Sequence, residues 1–119
     1  MSHFRFEDLQ VWQDAIDVGD RLFQVAEKAE SHRFFRFAEQ LRAAGMSISN
    51  NISEGSGSFS KKEFAQFLNI ARRSVFECAN ILYLFYRRDL ITEKEKNDLL
   101  TELDYLSKRI SSFRKTLIT

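Results

Sequence analysis

LRAAGMSISNNISEGSGSFSKKEF, residues 41–64, reads as one helix running out through small polar residues, a turn over Gly55 and Gly57, and a second helix beginning. Ser60-Lys61-Lys62-Glu63 has the pattern of a capping box: the Ser60 hydroxyl accepts from the Glu63 N–H, and the Glu63 carboxylate reaches back to the Ser60 N–H. A helix therefore starts at Ser60. Gly55 and Gly57 can take the positive φ that closes a helix in a Schellman or αL cap, with Ser56 and Ser58 filling a short polar turn. So short a link makes its two helices antiparallel neighbours.

Composition limits what can surround this hairpin. The chain has 119 residues, 44% of them apolar, with twelve Phe, enough for one core in one domain. It has no proline, which agrees with long uninterrupted helices. A formal charge of only +1 leaves no global basic field, so nucleic acid would have to be held by a local patch. The single cysteine cannot form an internal disulfide, and the first residues, MSHFRFEDLQ, lack a signal-peptide run. A cytoplasmic protein is expected. The longest apolar run, 81–86, falls far short of the roughly 20 residues that span a bilayer, so no membrane partner is expected.

Along the chain, Leu9, Trp12, Ile16, Gly19, Phe23 and Ala26 recur at steps of three and four, predicting a first helix over 7–30. Ala15, Val18, Leu22, Val25 and Ala29 form a second seam beside it, so the apolar surface is wider than one facing helix covers. Gly19 costs on the order of 1 kcal/mol against Ala in mid-helix, and a close helix crossing would compensate. A second helix, 33–54, has Phe34, Phe37, Leu41, Gly45, Ile48 and Ile52 on its core face. Asn51 and Glu54 beside that face call for hydrogen-bond partners, and a buried polar network fixing helix register is expected there.

The third helix, 60–88, has a core seam of Phe64, Phe67, Leu68, Ala71, Val75, Cys78, Leu82 and Phe85. On a second face Lys62, Ala65, Asn69, Arg72, Phe76, Tyr83 and Arg87 keep the same rhythm, interleaving basic and aromatic residues. Near its end Ile81, Tyr83, Leu84 and Phe85 make the helix apolar on every side. Four helices cannot enclose one of their own number, so Phe76, Ile81, Tyr83 and Leu84 are expected at a subunit interface. Thr92-Glu93-Lys94-Glu95 is another capping box, opening a fourth helix over 92–115. Its stripe is Leu99, Leu103, Leu106, Ile110, Phe113 and Leu117. The reading is all-α: an up-down-up-down antiparallel four-helix bundle.

Nothing in the residues calls for catalysis. His3 and His32 are the only histidines and share no metal-ligand spacing, while Cys78 sits on a core seam. Residues 55–62 fail as a phosphate-binding loop, because Ser60 stands where the second Gly belongs and a helix, not a strand, precedes them. No enzyme, cofactor, metal or small-molecule substrate is expected.

Phe6-Glu7-Asp8-Leu9-Gln10-Val11-Trp12-Gln13, then Gln40-Leu41-Arg42-Ala43-Ala44 with Ser47-Ile48 and Asn51-Ile52-Ser53-Glu54-Gly55, then Ser60 with Glu63-Phe64, Phe67-Leu68 and Ile70-Ala71, carry a resemblance over nearly the whole chain. The sequence resembles the bacterial four-helix bundle proteins encoded in intervening sequences of large-subunit ribosomal RNA genes. These are similar in fold to the accessory variability determinant of diversity-generating retroelements. The resemblance implies a ring-shaped homo-oligomer, with a pentamer favoured, and a basic surface for nucleic acid and a reverse transcriptase. This chain departs from the family pattern at Ala43, which replaces a basic residue, at Ser53, and in the glycine turn, which lacks an Arg.

Two functional expectations follow. The first is a self-associating structural or protein-interaction scaffold. The alternative is a nucleic-acid-binding accessory protein, for RNA or DNA, in which Arg36, Arg42, Lys61, Lys62, Arg72 and Arg73 neutralise phosphates and Phe76 or Tyr83 packs or stacks.

Overall fold

The computed structural model describes residues 2–119, which form a short 3-10 turn, Arg5–Asp8, and four helices: α1 Gln10–Ser31, α2 Phe35–Ser56, α3 Lys61–Arg87 and α4 Glu93–Ile118. The described residues contain no strand. Each helix packs on its chain neighbours in an up-down-up-down four-helix bundle, and the body is flattened, 44 × 31 × 21 Å. The core seam of α1 is the second of the two sequence seams: Val11, Ala15, Val18, Leu22, Val25 and Ala29 are buried, whereas Ile16 on the first is 43% exposed. That seam faces the margin between α1 and α2. In α2, Leu41, Ile48 and Ile52 are buried, but Phe37 lies half outside and Ala38 takes its place. The α3 seam, from Phe64 through Leu68, Val75 and Cys78 to Phe85, and the α4 stripe Leu99, Leu103, Leu106 and Ile110 are buried as their periodicity requires.

Helix ends differ from the sequence reading for identifiable reasons. The first α-helix starts at Gln10 because residues 5–8 close a 3-10 turn and Leu9 is extended at the N-cap. Gly55 does not end α2. It is helical and buried, and a Cβ there would lie 2.7 Å from Phe67 Cβ and 2.8 Å from Phe64 Cδ1, so the start of α3 packs directly on its bare backbone. Gly57, the C-cap, has φ −84°, and no glycine has positive φ.

The Schellman closures stand elsewhere, on residues with side chains. After α1, Arg33 has φ 69°, its N–H donating to the Glu30 carbonyl at 2.8 Å and that of Phe34 to Ala29 at 2.9 Å. After α3, Asp89 has φ 59°, its N–H bonding the Tyr86 carbonyl and that of Leu90 the Phe85 carbonyl, each at 3.0 Å. In both, the next residue, Phe34 or Leu90, packs on the core, and that apolar contact holds the strained residue in place.

The two expected capping boxes also differ. Thr92 and Glu95 make both halves, at 3.1 and 3.0 Å. Ser60 Oγ accepts from the Glu63 N–H at 3.1 Å, but the Glu63 carboxylate does not return the bond.

Candidate functional site

Helix α3 presents one flank that the bundle leaves uncovered. Counting from Arg72, the residues at steps of four and three are Phe76, Ala79, Tyr83 and Tyr86, so they share a stripe about a third of a turn from the core seam. Facing it across α4 stand Leu100, Leu103, Asp104 and Ser107, and the two helices bound a groove of about 240 Å³ floored by Val75 and Leu103. Phe76 and Tyr83 on its rim are 55% and 52% exposed.

Cations sit on these rings. The Arg72 guanidinium lies 4.7 Å from the Phe76 centroid, with its Nε buried and lacking a hydrogen-bond partner among the described residues. Lys96 Nζ lies 5.1 Å from the Tyr83 ring and 4.3 Å from that of Tyr86. The Tyr86 hydroxyl donates to Glu93 at 3.1 Å, and the carboxylate raises its pKa above the usual phenol value. The flank is therefore apolar at its floor and cationic along its edge. No ion pair joins Arg72 or Lys96 to a carboxylate among the described residues.

Of the four expected interface residues, Phe76, Tyr83 and Leu84 are surface groups and Ile81 is not. Ile81 is buried in the chain's own core cluster, which also contains Leu90 and Ile91 from the link into α4.

The expected polar network is centred one turn earlier than supposed. Asn51 Nδ2 donates to the Ser47 carbonyl at 2.7 Å and to Ser47 Oγ at 3.0 Å, and Ser47 Oγ meets Ser74 Oγ of α3 at 2.8 Å. These bonds pin the α2–α3 register. Glu54 takes no part: it is exposed and its side chain has no hydrogen bond among the described residues.

The six basic candidates are not brought together within one chain. Arg36 lies in the first turn of α2 and Lys61 and Lys62 open α3 at the other end, about 30 Å away at 1.5 Å per residue. Arg42 is bound to Glu30 and lies 5.9 Å over the Phe23 ring, and its hydrogen bond pulls the Glu30 carboxyl below its usual range. Arg73 is exposed, and Arg72 is spent on Phe76.

A second groove, which the sequence reading did not single out, lies between α1 and α2. Ile16, Gly19, Asp20, Phe23, Gly45 and Met46 line about 180 Å³, with Met46 49% exposed. Its signal was present in the Ile16–Gly19–Phe23 spacing, which belongs to this margin. Gly19 faces the Gly45 carbonyl, and a Cβ on Gly19 would meet it at 3.8 Å, an ordinary contact. The crossing is close there, yet the chain's own packing does not require glycine.

No group of His, Cys, Asp and Glu among the described residues could hold a metal ion, and burial pushes the Cys78 thiol up to about 12. No described helix is long and apolar enough to cross a membrane.

A family model described as 23S rRNA-intervening sequence protein matches residues 7–112. The fold is similar to that of a solved protein with unknown function from the S23 ribosomal protein family of Bacteroides thetaiotaomicron VPI-5482. The TM-score is 0.83 and the identity 24%, over 88% of this chain and 98% of that one. No curated protein matches the chain.

Proposed function

Because the chain belongs to the 23S rRNA-intervening sequence protein family, we propose that it is a cytoplasmic, non-enzymatic, self-associating helical bundle that serves as a structural or protein-interaction scaffold. The observation that carries this reading is exposed apolar surface on α3: Phe76 and Tyr83, on the rim of the apolar α3–α4 groove, and Leu84, outside that groove, are each more than half exposed. Fully burying one large apolar side chain is worth roughly 1.5–3 kcal/mol, so covering what these three expose would contribute a few kcal/mol in each interface. A stable interface takes about 800 Å² of each partner, which a face 44 Å long and two helices wide can supply. We favour a ring-shaped homo-oligomer of five copies, on the resemblance to the accessory determinant of retroelements.

A nucleic-acid-binding accessory role, with a reverse transcriptase as protein partner, is the second reading. It draws on Arg36, Lys61, Lys62 and Arg73, all exposed. It needs several copies to bring them to one surface, and its affinity would fall by about one unit of log-log salt slope per phosphate contacted. The first reading expects no retention of mixed RNA and DNA at low salt.

Sedimentation velocity tests the proposal. The wild-type chain is expected to sediment as an oligomer, and Phe76→Glu and Tyr83→Glu as single chains with unchanged helical circular dichroism. A wild-type protein of single-chain mass at high concentration, or oligomers unaffected by both substitutions, would overturn it.

A further inference from the structure

Resting on the protein-interaction part of the function just proposed, we infer that one end of the bundle, where the α1–α2 and α3–α4 links meet, docks a short acidic segment of a partner protein that also carries apolar side chains. An up-down-up-down chain brings residues 32–34 and 88–92 to the same end. Arg33, Arg36, Arg87 and Arg88 are all exposed there. The Ser47–Ser74 bond sets the register of the two middle helices. Counting equally back from Ser47 and forward from Ser74 brings Arg36 level with Phe85, in the turn that closes α3 at Arg87. Phe35 and Phe37, 57% and 45% exposed, flank Arg36 in the first turn of α2.

The charges around these arginines are otherwise engaged. Lys28 pairs with Glu95, Lys94 with Asp98 and Arg42 with Glu30, while His32 bonds the Lys28 carbonyl. Glu27 and Glu39, a turn further in, join Glu30 in the field around Arg42. Asp89 and Glu93 stand beside Tyr86, whose hydroxyl donates to Glu93. No ion pair joins Arg33, Arg36, Arg87 or Arg88 to a carboxylate among the described residues.

Helix stability explains only part of this cluster. A helix dipole favours cations at its C-terminus, which accounts for Arg87 and Arg88 at the end of α3. Arg36 is in the first turn of α2, where the same dipole disfavours a cation. Arg33 has φ 69°, a left-handed conformation that glycine would take with less strain. Both positions hold arginine against local preference, so the side chains serve something other than the fold.

A guanidinium fork matches a carboxylate at two points, and arginine beside half-exposed aromatic rings is the composition of a protein interface centre. The end of the body measures 31 × 21 Å across, and about nine extended residues at about 3.3 Å each would cross its longer side. A nucleic-acid strand tracking further would run onto Glu27 and Glu39 or onto Glu93, which repel phosphate; a short acidic segment ends before them.

Selection of random displayed peptides of about that length on the immobilised wild-type chain tests the assignment. The selected sequences are expected to carry Asp or Glu beside Leu, Ile or Phe. Synthetic copies are expected to bind at least tenfold more weakly to Arg36→Glu, Arg87→Glu and Phe35→Ser, and equally well to Lys62→Glu at the opposite end, with circular dichroism unchanged throughout. Arg33→Gly is expected to bind the same peptides more weakly although it unfolds at a higher temperature. Selected peptides without carboxylates, affinities that Lys62→Glu lowers as much as Arg36→Glu, or unchanged binding to Arg33→Gly and Phe35→Ser would overturn it. So would a pool of single-stranded RNA that displaces the peptides and is itself lost through Arg36→Glu, for then the end holds phosphates. Sedimentation of the wild-type chain separates the two proposals: an oligomer that selects no acidic peptide refutes this site alone, and a single copy that selects them refutes only self-association.

Discussion

The α2–α3 seam and the α1–α4 seam close the same bundle by different means. Between α2 and α3 the contact is close: Phe64 and Phe67 lie on the bare backbone of Gly55, and a chain of hydroxyl and amide bonds through Ser47, Asn51 and Ser74 fixes the register. Between α1 and α4 the helices stand apart over a cleft of about 290 Å³ lined by Asp14, Asp17, Glu102, Tyr105 and Arg109. Ion pairs join the two helices along this seam: Arg21 with Glu102, Lys28 with Glu95, and Arg109 with Asp14. The difference teaches that connectivity sets the packing. Chain-adjacent helices are held close by short links and can bury small residues against one another. The first and last helices have no link, and partly exposed charges align them at modest gain.

The largest expected effect breaks the close seam. Gly55→Ala improves helix propensity by about 1 kcal/mol, but its Cβ would collide with Phe67 Cβ and Phe64 Cδ1, neither a flexible side-chain end. Overpacking of that kind costs about 1–3 kcal/mol, so a net loss of up to about 2 kcal/mol is expected in urea unfolding at fixed protein concentration. A gain would show that the start of α3 can move away and that the seam is looser than described.

How legible this was depended on whether the signal was periodic or local. Helices α3 and α4 could be read closely because their buried seams are long and regular, from Phe64 to Phe85 and from Leu99 to Ile110. The α2–α3 turn was found where Gly55, Gly57 and Ser60 place it, but for a partly wrong reason: Gly55 is there for proximity, not for positive φ. Local chemistry could not show that an arginine would take the left-handed position after α1, since what holds it is Phe34 packing on a core not yet assembled. The projecting aromatic flank was legible as excess apolar residues. Ile81 was misplaced because how far the bundle's own core reaches around the end of α3 is set by the assembled packing, and the scatter of the basic residues depends on helix heights that spacing alone does not fix.

Arg33 supplies the middle-sized effect. A non-glycine residue in the αL conformation costs roughly 1–2 kcal/mol, part of which glycine gives back through its freedom in the unfolded chain. Arg33→Gly is therefore expected to stabilise the protein by about 0.5–1 kcal/mol, raising the midpoint of thermal unfolding. A loss would mean that the Arg33 side chain makes a contribution beyond its backbone position.

The smallest effect belongs to the α1–α4 seam. Lys28 holds the Glu95 carboxyl below its usual range, helped by the Thr92 N–H in the capping box. A carboxylate whose pKa is depressed in the folded state adds stability above its unfolded pKa, and that contribution is lost as the pH falls through its lower folded value. Glu95→Gln removes the ion pair while a glutamine can still serve the cap. Near neutral pH the variant is expected to lose no more than about 1 kcal/mol, a difference that shrinks in high salt and vanishes in acid, where the wild-type carboxylate is itself protonated. Urea midpoints of both proteins across acidic to neutral pH measure this directly. A cost several times larger, or one that persists in acid, would mean that this seam rests on packing as the α2–α3 seam does, and the contrast between the two would collapse.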